Sequence, residues 1–104
     1  MIIFNLLTLN AKHARHVTQL MLTQHMANDV FVDEAIANHY LTLQGTVAEQ
    51  PLHRVIFITK ALLYRRIEEL LEEHFPDNDF RIYATPVTQV NAAEAERVRQ
   101  LHKA

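Results

Sequence analysis

Histidines and carboxylates supply most of the side chains in this sequence that could do chemistry. His13 and His16 stand three residues apart, the spacing that puts two imidazoles on one helix face where both can reach one metal ion. No Asp or Glu lies near them in that segment to complete a ligand set, so a solvated helix face is the simpler reading. His39 and His53 flank the single glycine, Gly45, at similar distances, so a hairpin turning there would let them approach across strands. Glu68, Glu69, Glu72 and Glu73 form an acidic run. Paired-carboxylate catalysis needs convergent, partly buried carboxyls, whereas neighbours on one exposed helix diverge, and Arg65 is placed to pair with Glu68 or Glu69. Asp77-Asn78-Asp79 offers oxygen ligands for a hard cation but lacks the glycine and later glutamate of a calcium loop, so it reads as a turn. Tyr40, Tyr64 and Tyr83 read as half-buried packing residues with a hydroxyl at the surface.

What is missing narrows the chemistry further. The chain has no cysteine and no serine, which removes disulfides, thiolate metal sites and both common nucleophiles. One glycine rules out a Gly-rich phosphate loop. A net charge of −2 with seven histidines uncounted is too balanced for a nucleic-acid binder, which carries a basic stripe. No apolar run is long enough to cross a bilayer, so no membrane partner is expected. The apolar start Met1–Leu7 lacks a basic flank and a small-residue cleavage site, and it reads as a strand rather than a signal peptide. The expected location is the cytoplasm, and the expected cofactor is none. A weakly held divalent metal such as copper is the most the histidines allow.

The elements that must position these groups follow from periodicity. The 104 residues suit one domain, 1–104, with 49% apolar residues for its core. Ile2 to Leu9 is apolar on both faces, as a covered central strand is. Asn10 can cap a helix over 11–26, with Ala14, Val17, Leu20 or Met21, and Leu22 inward and Lys12, His13, His16, Gln19 and Thr23 outward. Val30–Val32 and 35–43 are strand-like, Gln44-Gly45-Thr46 is the turn, and Val47–Gln50 continues an arm that Pro51 interrupts. Leu52–Thr59 is a dense central strand, 60–75 an amphipathic helix, and Phe80–Val87 a last strand. Asn91 with Glu94 makes a capping-box start for a final helix through about Lys103. The order β-α-β-β-α-β plus a helix predicts an α+β, ferredoxin-like βαββαβ sandwich with an antiparallel sheet. Its two crossover helices cover one sheet face. The apolar strands call for something other than water on the second face, either the last helix or another subunit.

The residues also resemble the CutA-type divalent-cation tolerance proteins, which share the ferredoxin-like fold with the PII signalling proteins. Three stretches from Ile2 to about Asn91 carry the resemblance: the opening strand and helix; Gly45 with Thr59 fourteen residues on, closing Val55-Ile56-Phe57-Ile58-Thr59; and Ala61-Leu62-Leu63-Tyr64 leading to Pro76 and then Ile82-Tyr83-Ala84-Thr85-Pro86-Val87. The family's aromatic pair before the glycine falls here on Leu41 and Leu43, its acidic pair near Pro51 and Leu52, and its lysine on Ile58. Its His-Pro-Tyr-Glu-type loop reads Phe75-Pro76-Asp77-Asn78.

The resemblance implies a homotrimer whose long hairpins pair between subunits, with Tyr40, Leu41, Leu43 and Val47 in the interface. It implies a ligand cleft between subunits near the hairpin and the Pro76–Asp79 loop, with His39, His53, Thr59, Tyr64, Asp77 and Asp79 as candidate lining. The expected function is a binding, sensing or scaffold module linked to divalent-cation tolerance. The alternatives are a PII-like small-ligand signalling protein and a small dimeric ferredoxin-like enzyme using His39 or His53 as acid or base.

Overall fold

The computed structural model describes residues 1–101. Ile2–Thr8 forms strand β1, with alternate residues Phe4, Leu6 and Thr8 buried beneath the helices. Asn10 ends the strand and caps α1 (Ala11–Thr23), its side-chain oxygen accepting from the His13 N–H at 3.1 Å. The helix stops three residues before the expected end. His25 takes a left-handed φ of 58°, and the Met26 N–H returns to the Met21 carbonyl at 2.9 Å, the hydrogen-bond pattern of a Schellman termination. Met26 is thereby driven into the core.

Strand β2 (Phe31–Leu41) and strand β3 (Val47–Thr59) form the hairpin. The two strand-like pieces read at 30–32 and 35–43 are one strand, joined by a bulge between Asp33 and Ile36, where Ala35 adopts φ 53°. At the tip, the Gly45 N–H donates to the Thr42 carbonyl at 3.0 Å and Gly45 takes φ 82°, a conformation that suits glycine. Pro51 does not interrupt β3. β1 pairs with β3 only as far as His53, so beyond it one edge of β3 has no partner strand among the described residues, and a missing N–H there is tolerated.

A 3-10 turn (Ala61–Leu63) leads into α2 (Tyr64–His74), which is followed by β4 (Arg81–Pro86) and α3 (Ala92–Arg99). Asn91 caps α3 through the Glu94 N–H at 2.9 Å. α3 ends at Arg99 with Gln100 as its C-cap, short of the expected end at Lys103, which lies outside the described residues. The strand order is β2-β3-β1-β4, with every pairing antiparallel, which is the ferredoxin-like sandwich.

The core lies between the sheet and the helices. Phe4 stacks on Phe57 with ring centroids 4.9 Å apart, and Val55 and Leu6 lie beside them. Val17 and Met21 of α1, Ile67, Leu70 and Leu71 of α2, and Val98 with Leu101 close over the strands. The inward set of α1 is Ala14, Val17 and Met21, while Leu22 stays exposed. Asp29 pairs with Arg97 at 2.6 Å, and the Lys60 ammonium donates to the Leu101 carbonyl at 2.7 Å, tying the C-terminal segment to the end of the sheet. On the opposite sheet face, Phe31 and Tyr83 remain exposed around Asn5, the middle residue of β1. Asn5 is itself buried, and its amide makes only one long bond among the described residues, to the Ile3 carbonyl at 3.5 Å.

Candidate functional site

The two ends of β1 gather different groups. At its C-terminal end, Asp79 staples the strand-to-helix connection. Its carboxylate accepts the Thr8 hydroxyl at 2.5 Å and the Leu9 N–H at 2.8 Å, while the Asn10 N–H donates to Thr8 Oγ1 at 3.1 Å. Partial burial pushes the Asp79 pKa up, but the bonds from Thr8, Leu9 and its own backbone, with His13 nearby, hold it below the ordinary carboxylate value. The local chain bends to reach this geometry because Asn78 makes a tight turn: its amide donates to the Phe75 carbonyl at 2.6 Å, and its oxygen accepts from the Phe80 N–H at 2.9 Å. Leu9, Lys12, His13, Arg15, Asp77 and Asp79 line a wide, open depression of about 690 Å³ over the start of α1. Asp77 is exposed there, while Asp79 is already committed to the staple.

At the other end of β1, Thr59 is fully buried and donates its hydroxyl to the Met26 carbonyl at 2.7 Å. Tyr64 tilts against Phe4 at 5.5 Å. Burial raises the Tyr64 pKa, and Glu68 raises it further, so the phenol keeps its proton at neutral pH. Thr59 and His53 are six residues apart on one strand, roughly 20 Å.

A single chain therefore does not bring the six candidate cleft residues together. Asp77, Asp79 and His53 lie toward one end, Thr59 and Tyr64 toward the other, and His39 out on the arm. His53 is directly across from Thr8. His39 and His53 do not meet: His39 pairs with Glu49, its Nε2 lying 3.8 Å from the carboxylate, whereas His53 lies beside the β2 bulge, where its Nδ1 accepts from the Ala35 N–H at 3.3 Å. The register runs unbroken from the turn through Leu41↔Val47, Tyr40↔Ala48 and His39↔Glu49, so His53 lies four residues farther along β3 than the partner of His39.

His13 departs from the outward face assigned to it, whereas His16 stays exposed. The His13 ring packs edge-on against Phe75 at 5.1 Å and Phe80 at 5.7 Å, with its Nδ1 buried and unpartnered among the described residues. His16 stacks near Phe75 at 6.4 Å and lines a groove between α1 and α2 with Leu20, Thr23 and His74. The signal that sequence reasoning missed is Phe75, which folds back from the end of α2 and covers this side of α1. No cluster of three or more potential ligands occurs among the described residues. The acidic run of α2 is exposed or half-exposed, and Arg66 rather than Arg65 pairs with it, at 3.5 Å to Glu69 and 3.7 Å to Glu73.

The arm is the most unusual surface. Leu41 is 70% exposed, Val47 75%, and Leu43 wholly so, with Tyr40 beside them. Leu41 and Val47 are direct cross-strand partners, as are Tyr40 and Ala48. A projecting hairpin thus presents apolar side chains that nothing among the described residues covers.

No family model matches the sequence, and no curated relative matches it. Solved structures do. CutA1 of Pyrococcus horikoshii is 21% identical, with all of both chains covered and a TM-score of 0.82. The divalent cation tolerance protein of Thermus thermophilus is 17% identical over 99% of this chain and 100% of that one, with a TM-score of 0.82. A periplasmic divalent cation tolerance protein CutA from Archaeoglobus fulgidus is 12% identical over 96% and 97%, with a TM-score of 0.79. From end to end, this chain has the fold of the CutA1 proteins, as the resemblance in its residues implied.

Proposed function

We propose that this protein assembles as a CutA-like homotrimer and works as a binding, sensing or scaffold module in divalent-cation tolerance, with its ligand cleft formed between subunits. The projecting arm carries the reading. Exposed Leu41, Leu43 and Val47 are an aggregation hazard in a lone chain, and pairing the arm with a neighbour satisfies backbone groups and covers the side chains together. Three-fold closure rests on the likeness to CutA-type proteins, since the arm alone fits two-fold closure equally well. The separation of His53, Asp77 and Asp79 from Thr59 and Tyr64 within one chain fits a cleft completed by a neighbour, where different ends of different subunits meet. The cytoplasmic location belongs to this proposal, and the periplasmic name of the Archaeoglobus protein is its rival.

The test is Leu41→Asp with Leu43→Asp. Size exclusion with light scattering on the variant should show dissociation or unfolding, since a charge buried without a partner costs several kcal/mol, on the order of 3–5. A double variant that keeps the assembly at full stability removes the arm from the account.

A further inference from the structure

We infer that His53 is a proton-sensitive latch on the β2 bulge, so that protonating one imidazole changes how the arm leaves the sheet. Four observations converge here. The bulge between Asp33 and Ile36 inserts one extra residue opposite β3. Ala35 holds that insertion at φ 53°, a conformation that residues with a Cβ disfavour, so something must hold it. Among the described residues, the only side chain bonded to the bulge backbone is His53, whose Nδ1 accepts the Ala35 N–H at 3.3 Å. Everything beyond the bulge, from Ile36 to Leu52, pairs only within the hairpin and shares no strand contact with β1.

An Nδ1 that accepts a hydrogen bond requires the neutral ring, protonated on Nε2. A second proton converts that acceptor into a donor facing another donor, and histidine is the side chain whose ordinary titration falls between pH 5 and 8. His53 pairs with Thr8 and so faces the helix side of the sheet, where neighbouring positions carry Glu34 in the bulge and Asp79, held by Thr8, with His13 beyond it; Asp33, paired with Arg54 at 2.7 Å, lies on the opposite face. The protonated ring no longer accepts from Ala35. The bulge then loses its pin. An unpinned bulge relaxes or moves along its strand, and a one-residue slip exchanges the two faces of the arm. This reading concerns one chain and is independent of how many subunits assemble.

The experiment is a pH titration of the full-length ¹⁵N-labelled protein by NMR, following the His53 ring nitrogens and the Ala35 amide together, with hydrogen-exchange protection measured at each pH. The Ala35 amide should shift with the same midpoint as the His53 ring, and its protection should fall about tenfold, as expected for loss of one hydrogen bond. His53→Asn, which retains an acceptor near the Nδ1 position but does not titrate, should hold the Ala35 amide protected throughout. His53→Leu should leave it unprotected at every pH. An Ala35 amide that stays fixed while the His53 ring titrates overturns the latch, and so does a transition that survives in His53→Asn. The wild-type titration decides the matter even where a variant fails to fold.

Discussion

Replacing Asp79 with alanine should destabilise the protein by about 2 kcal/mol at neutral pH, and the loss should shrink in acid. The carboxylate accepts two hydrogen bonds, from the Thr8 hydroxyl at 2.5 Å and the Leu9 N–H at 2.8 Å. Bonds to a charged group contribute about 1.5–3 kcal/mol each when buried, but Asp79 is exposed, so screening reduces the pair to about 2 kcal/mol in total. Part of that loss comes from Thr8, which is buried and would keep a hydroxyl proton without its carboxylate acceptor. The sign of the pH dependence follows from the lowered pKa. The stabilisation is complete above the unfolded value of about 3.9 and disappears as pH falls through the folded value. Urea unfolding at one fixed protein concentration should show a midpoint about 1 M lower for Asp79→Ala at pH 7, with the gap narrowing as pH falls through the folded Asp79 pKa. A double-mutant cycle with Thr8→Val should give a coupling of about 1 kcal/mol. A gap that stays the same size as the carboxylates are protonated, or no coupling to Thr8, would refute the staple.

Thr59→Val should cost about 1–2 kcal/mol in urea unfolding, because it leaves the Met26 carbonyl without its partner at a fully buried position. Gly45→Ala should cost about 1 kcal/mol through its φ of 82° alone, since a Cβ there meets no atom within 4 Å; an unchanged midpoint would show that the turn can adapt. Titration of tag-free protein with copper or zinc, read by calorimetry, should show only weak, superficial binding. A tight site of one ion per chain that His13→Ala with His16→Ala abolishes would contradict this.

Much of this architecture is legible in the residues because local and tertiary preferences agree. Asn10 and Asn91 are good helix caps, and both cap. The doubly apolar run of β1, the apolar stripe of α2 and the lone glycine at the turn each have one stable placement. The misreadings come from features without a local signal. The bulge uses Ala35 where a glycine would have announced a left-handed residue, and His39 and His53 looked like a cross-strand pair because the register across the turn, which sets Glu49 opposite His39, is not visible in their similar distances from Gly45. His13 looked solvated because histidine is polar, yet Phe75 and Phe80 arrive from sequence-distant segments to cover it. Pro51 looked like a strand break because the sequence does not reveal that β1 ends at the level of His53 and leaves β3 an unpaired edge. Asp79 could be assigned to a turn from its neighbours, but its long-range bonds to Thr8 and Leu9 follow only from the β4-β1 pairing.

Assembly is the central claim, and the mass in solution tests it most directly. Light scattering after size exclusion of the unmodified protein, at neutral pH across a range of concentrations, should give three times the 12.1 kDa chain mass. A monodisperse monomer would contradict the account of the arm, and a stable dimer would contradict three-fold closure.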